Sequence, residues 1–373
     1  MRKTYKYRLT PTGNQVRALS RTLDICRTLY NSCLLDRNRR YEETGKGLSR
    51  IDQQVILKAD KERVDSLGEV HSQVLQDVLF RVDRAYQGFF RRVKAKTGKA
   101  GYPRFKNENR YDSITYPQEP GFQLTDNGLR LSKIGTIKIK LHRPIIGQVK
   151  TCTIKRETGK WYACFSVDFA PISRPVPARA VGIDLGIKSF AVFSDDTTVI
   201  NPKHLRVSEK KLATRNRQLS KKKKGSKNRR RAKFFLARLH RRIRDQRSDF
   251  HHKISRDIVN RFGFIAVEDL NIRGMVKNHR LAKSISDAGW GQFLHHTAYK
   301  AEEAGCRMVW VAPQYTSVDC SVCGNPVPKT LAQRTHRCPF CGTVMDRDHN
   351  AALNILRLGL QSLGIQSVEA LPF

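Results

Sequence analysis

The stretch VGIDLGI, residues 181–187, is a short apolar run with a carboxylate at its centre. Val181, Ile183, Leu185 and Ile187 belong in a sheet, where a lone buried charge costs on the order of several kcal/mol. Asp184 therefore needs compensation, and two other segments share its oddity. FIAVEDL (264–270) ends an apolar strand in Glu268, and MDRDHNAALNIL (345–356) puts Asp348 at the mouth of a helix whose Ala352, Ile355 and Leu356 share one face. The order is a strand with Asp184, a second strand SFAVFSDD (189–196), a long helix, the strand with Glu268, a helix, a strand, and the helix with Asp348. That is the order of a ribonuclease-H-like sheet, in which acids converge beside the central strand.

Three acids grouped in a buried site cannot all stay ionised uncompensated. Two divalent metal ions would compensate them and could activate water for phosphodiester hydrolysis. Taken singly, each acid has a duller account: Asp184 as a turn residue, Glu268 as a surface acid, Asp348 as a helix cap. Asp195 and Asp196 read as hairpin-turn residues. Asp269 competes with Glu268, because neighbouring strand positions face opposite sides, and Asp346 competes with Asp348.

The chain has 373 residues, room for two or three domains. Its 71 Lys and Arg against 33 Asp and Glu give a formal charge of +38. Such an excess points to a polyanionic partner, nucleic acid before a membrane surface. No apolar run reaches the roughly 18 residues of a membrane span, and MRKTYKYRLT lacks the apolar core of a signal peptide. Cys26, Cys33, Cys152, Cys164 and Cys306 are scattered through apolar segments, as reduced core thiols are. The expectation is a soluble cytoplasmic protein.

Residues 1–10 alternate as a strand, with Tyr5, Tyr7 and Leu9 on one face. TPTGNQ then offers Thr10 or Thr12 as a helix cap, and the helical pattern continues to about Lys96. From Ser113 to Ala170 the chain alternates like strands, with turn signals at Asp126-Asn127-Gly128 and Thr158-Gly159. This predicts a small antiparallel barrel, completed by the N-terminal strand and interrupted by the helices. APISRPVPARA, with three prolines, reads as a linker. Between Lys221 and Arg247 stand fourteen Lys or Arg and one acid, Asp245. Phe235, Leu239, Ile243, Phe250, Ile254 and Ile258 run along one face of this stretch and its helical continuation. The pattern predicts a helix packed on one side, with arginines including Arg229, Arg230, Arg231, Arg241 and Arg242 presented to nucleic acid.

CSVCG (Cys320, Cys323) and CPFCG (Cys338, Cys341) are near-duplicate knuckles separated by fourteen residues. Two thiolates on each of two tight turns build a closed tetrahedral site for structural zinc. His336 nearby reads as a polar loop residue.

The sequence resembles the TnpB (OrfB) family of transposon-encoded, RNA-guided nucleases, compact relatives of type V CRISPR effectors. The resemblance runs from YKYRLTPT through YPRFK, GIDLGIKSFAVFSD, VEDLNIRGM and LAKSISDAGWGQF to CSVCG, CPFCG and DRDHNAALNI. It implies an α+β multidomain chain: a β-barrel wedge domain (1–10 with 111–178) interrupted by a helical recognition domain (11–110). An α/β RuvC nuclease domain (179–318 with 346–373) would follow, with a zinc-ribbon insertion (319–345). The resemblance also implies Asp184, Glu268 and Asp348 as catalytic ligands of two Mg²⁺ ions, with Mn²⁺ as a substitute. The implied partners are a guide RNA from the transposon end and double-stranded target DNA; one chain with one RNA is the favoured expectation, and the oligomeric state stays open. Two other functions stay open: an RNA-guided binder that does not cut, and a transposase that transfers strands.

Overall fold

The computed structural model describes residues 1–96, 100–108, 110–170, 175–330 and 332–365. The chain divides into two compact units, Met1–Ala170 and Pro171–Phe373.

The first unit opens with β1 (Arg2–Thr10) and then α1 (Gly13–Thr44), α2 (Arg50–Arg63), α3 (Asp65–Gly68) and α4 (Ser72–Lys94). Thr12, not Thr10, caps α1: its hydroxyl accepts from the Gln15 amide while the Gln15 side chain returns to the Thr12 amide. Six strands follow, β2 (Ser113–Tyr116), β3 (Phe122–Thr125), β4 (Gly128–Leu131), β5 (Gly135–Lys140), β6 (Gln148–Glu157) and β7 (Lys160–Asp168). They form an antiparallel sheet of order β2-β6-β7-β1-β5-β4-β3, with the N-terminal strand at its centre. Among the described residues no ladder joins β2 to β3, so the expected closed barrel is an open half-barrel. The two edge strands are four residues each, too short to twist round and meet. Helices and sheet share one core, from Leu19, Leu75 and Val82 to Tyr7, Phe165 and Ile154. Arg81 of α4 fastens them, donating to the Ser113 carbonyl at 2.7 Å and to the Thr115 hydroxyl at 2.9 Å.

The second unit begins with β8 (Ala180–Leu185), β9 (Ser189–Phe193) and β10 (Thr198–Ile200), then α5 (His204–Ser220) and α6 (Lys227–Arg261). Next come β11 (Phe264–Glu268), α7 (Ile272–Met275), α8 (Ala282–Ala288), α9 (Trp290–Ala304) and β12 (Arg307–Val311). A hairpin of β13 (Thr335–Arg337) and β14 (Val344–Asp346) leads directly into α10 (Arg347–Gln361). The main sheet has the order β10-β9-β8-β11-β12, the first three strands antiparallel and the last three parallel.

Alternation along β8 and β11 divides this unit into two cores. Val181, Ile183, Ile265 and Val267 face one side, among Ile258, Phe262 and Phe293. Phe264 and Ala266 face the other, against Ile355 and Leu360 of α10. Gly182 lies on this second face, where α10 comes so close that a Cβ would run into the Ala352 carbonyl oxygen and lie 2.6 Å from the Leu356 nitrogen.

The basic segment is a hairpin rather than one helix. Residues 221–226, with four lysines and Gly225 at positive φ, turn between α5 and α6.

Candidate functional site

The contact between Gly182 and Ala352 sets the register of the acids. Asp184 lies two residues along the strand, about 6.6 Å on. Asp348 lies one turn before Ala352 on the same helical face, about 6 Å on. On the neighbouring parallel strand, Val267 pairs with Ile183, which brings Glu268 level with Asp184 and on the same side of the sheet. Glu268 follows Phe264 and Ala266 on the α10 face and is buried, whereas Asp269 points away and is exposed.

The electrostatics reflect this crowding. Burial, and then the carboxylates of Glu268 and Asp348, push the Asp184 carboxyl up to about 8, with Arg347 opposing. Burial also raises Glu268, against a hydrogen bond of 2.6 Å from the Thr316 hydroxyl to its Oε1. Asp348 leans toward Arg334, Oδ1 to Nη1 3.7 Å. Asp346 is engaged as the cap of α10, accepting from the amides of Asp348 at 2.7 Å and His349 at 3.3 Å. Asp196 sits in the β9–β10 turn at positive φ, and Asp195 there pairs with Arg261 at 2.6 Å.

Among the described residues, the four cysteines are the one group of three or more such ligands whose donor atoms all lie within 4.8 Å of one another. Cys320 and Cys341 sulfurs are 3.6 Å apart, and those of Cys323 and Cys338 are 3.5 Å apart. Hydrogen bonds to Thr343 hold Cys341 below the usual thiol range, and those to Asn325 hold Cys323 below it, favouring thiolates at these two positions, whereas burial pushes Cys338 up to about 11. This group can hold a metal ion. The carboxylates are more open, so no single ion could take all three as they stand; their hard oxygen donors suit ions shared among them. His336, expected in a loop, is fully buried on β13 beside the Lys329 amine, 2.7 Å from its Nδ1.

Sequence reasoning missed three residues that tie these sites together. Asn354 donates to the carbonyls of Thr316 at 2.9 Å and Asp319 at 2.8 Å. Asn350 donates to Asp319 at 2.8 Å and accepts from the Ser321 amide at 2.9 Å. The helix bearing Asp348 thus grips the first cysteine knuckle and the residue that holds Glu268. Two asparagines one turn apart in an amphipathic helix were the available signal; a lone threonine gives none.

The five arginines divide. Arg230, Arg231 and Arg242 are exposed along α6. Arg229 instead closes the hairpin turn, donating to the carbonyls of Leu219 and Lys222, both at 2.9 Å, and Arg241 pairs with Asp245 at 3.3 Å.

Residues 164–279 match the family model for the OrfB protein of IS605, described as a probable transposase; 290–355 match the Cas12f1-like TNB domain, and 1–46 match a helix-turn-helix domain. Here that last stretch is a strand followed by a single helix of 32 residues. A protein of Streptomyces pristinaespiralis is 34% identical, covering 96% of this chain and 90% of its own. The chain belongs to the OrfB/TnpB family. The relative's name contains the words RNA-guided DNA endonuclease, as does that of InsQ from Escherichia coli K12, a family member 31% identical over 96% of this chain and 92% of its own. The solved structure of the mini RNA-guided endonuclease CRISPR-Cas phi3 shares the fold, with a TM-score of 0.54 at 10% identity, covering 96% of this chain and 92% of that one.

The crowding of Asp184 sets a pH signature. In the unfolded chain its carboxyl loses its proton near pH 4, whereas the metal-free folded protein keeps it to about 8. Across that window the folded state binds more protons, so stability falls as pH rises and levels off above it. Asp184→Asn should remove the part of this slope that Asp184 contributes, leaving that of Glu268. Its advantage over wild type in chelator-treated denaturation curves should be near zero at pH 4 and reach on the order of a few kcal/mol at pH 8. Parallel curves would mean the carboxyl is not crowded.

Proposed function

We propose that the chain is an RNA-guided DNA endonuclease that hydrolyses phosphodiester bonds of guide-complementary DNA next to a short flanking motif. The observation that carries this reading is the convergence of Asp184, Glu268 and Asp348, from three distant segments, on the α10 face of one sheet. Identity to the Streptomyces and Escherichia relatives along nearly the whole chain supports the guided part. The order of the main sheet agrees with a RuvC-type, ribonuclease-H-like domain, preceded by a wedge (1–10 with 111–178) and recognition helices (11–110).

Asp184, Glu268 and Asp348 would hold two Mg²⁺ ions, which when bound supply positive charge for the departing oxygen and acidify an attacking water. Asp184 is the central ligand, because burial and its neighbours leave its charge uncompensated. Thr316 positions Glu268, fixing one oxygen and leaving the other free to bind. Asp346 keeps the first turn of α10 in place, so that Asp348 is presented on the helix face rather than at a fraying end. Cys320, Cys323, Cys338 and Cys341 would hold a structural zinc, anchoring the loop that Asn350 and Asn354 grip. Arg230, Arg231 and Arg242 would meet phosphates of the guide RNA or the target.

The test is plasmid cleavage by protein purified with its RNA, the sequence of which defines the target. Asp184→Ala, Glu268→Ala and Asp348→Ala should each lower the cutting rate at least about a hundredfold while leaving RNA retention intact. Thr316→Val should lower it about tenfold, and Asp269→Ala and Asp346→Ala should still cut. Undiminished cutting by Asp184→Ala would refute the assignment, and joined rather than free ends would make the protein a transposase.

For the zinc, Cys320→Ser should reduce the metal content from one ion per chain to none and slow cutting, since metal-binding energy in such modules is largely folding energy. A zinc-free variant with full activity would remove the structural role.

A further inference from the structure

The helices of the first unit enclose a cavity of about 360 Å³, far in sequence from every residue discussed above as a ligand. Its volume lies within the roughly 300–1,000 Å³ typical of small-ligand sites. Its walls are aromatic: Tyr41 from α1, Tyr86 and Phe90 from α4, and Tyr102 from the segment that follows. Tyr86 is buried, but Tyr41, Phe90 and Tyr102 are 56%, 59% and 56% exposed. Three aromatic rings left that open around one concavity are unusual on a soluble surface and mark a binding site. Phe89 braces two of them from behind, 5.2 Å from Phe90 and 4.4 Å from Tyr102 between ring centroids.

Polar groups stand at one side of the cavity. Arg37 is buried and already committed, to Gln53 at 2.8 Å and Asp83 at 3.3 Å, with its guanidinium 5.1 Å from the Tyr86 ring centroid. Asn38, also in the lining, accepts from the Tyr86 hydroxyl at 2.6 Å through its side-chain oxygen, so its amide nitrogen is not used in that bond. Glu42 lines the cavity and is exposed. Basic residues are frequent in the two helices that wall it: Arg39 and Arg40 follow Asn38 in α1, and Arg91, Arg92 and Lys94 stand in the last turn of α4.

We infer that this cavity takes one unpaired nucleobase, with guanine preferred. Flat π-faces among exposed aromatic rings fit a base unstacked from its strand. The formal charge of +38 suits the phosphates of the strand that carries the base. Glu42 selects the base: an ionised carboxylate only accepts hydrogen bonds, and guanine alone offers two adjacent donors, N1–H and the 2-amino group, on its pairing edge. Asn38 donates to O6 or N7. The site is independent of the carboxylates of the second unit, so it can fail while the nuclease reading stands, and the reverse.

The test uses the full-length, RNA-stripped protein and labelled twelve-residue oligonucleotides followed by fluorescence anisotropy. One series is oligouridylate with a single central guanine, with a single central adenine, and with neither; the other is its oligothymidylate counterpart. One guanine should tighten wild-type binding at least about fivefold in one or both series, the responding series showing whether RNA or DNA supplies the base. Tyr102→Ala and Phe90→Ala, both at exposed positions and so expected to fold, should abolish the gain. Glu42→Gln should bring guanine down to the level of adenine while keeping most of the gain over uracil. Equal binding with and without guanine in both series would overturn the inference, as would a gain that survives Tyr102→Ala.

Discussion

The close approach of α10 to Gly182 is the contact on which the candidate catalytic site depends. Helix and strand touch backbone to backbone because residue 182 has no side chain. The strand repeat of two and the helix repeat of four then advance Asp184 and Asp348 by nearly the same distance from that point. Any larger residue at 182 would lift the helix and separate the two carboxylates, whatever became of the acids themselves. Gly359 serves a similar end further along, where a Cβ would come 2.6 Å from that of Ala266.

Packing that forces acids together stores electrostatic repulsion, and the surrounding residues manage it unequally. Asp346 discharges its charge on the amides of a helix N-terminus, a favourable place for an anion. Asp348 has Arg334 and Glu268 has a hydroxyl, but Asp184 is left to be neutralised by a proton or a cation. The cysteine module enters the same arithmetic mechanically. Asn350 and Asn354 bind it to the helix that carries Asp348, so a metal held by four thiols can stiffen a site to which it contributes no ligand.

Much of this was legible in the sequence because it rests on local periodicity. The alternation around Asp184 and Glu268 marked two strands, and the paired CxxCG knuckles marked a group able to hold a metal without any knowledge of the fold. The choice between Asp346 and Asp348 was not legible, because it turns on where β14 stops and α10 begins, a boundary that falls between the two residues. The arginine-rich stretch read as one helix because its lysines fit a helical face as well as a turn; Gly225 was the breaker, and Arg229 became part of the turn. The half-barrel opened because edge strands of four residues do not announce their inability to pair. Thr316 and the aromatic cavity depend on residues brought together from separate segments, which no periodicity encodes.

The central claim is that Asp184, Glu268 and Asp348 surround bound cations. Hydroxyl-radical mapping with Fe²⁺ in place of Mg²⁺ tests it without reference to activity, since radicals generated at a bound ion cut the polypeptide beside it. With ascorbate and peroxide, wild-type protein should break near residues 184, 268 and 348, excess Mg²⁺ should suppress all three cuts, and Asp184→Asn should lose them together. Fragments that end elsewhere, or the same three cuts undiminished in Asp184→Asn, would contradict the account.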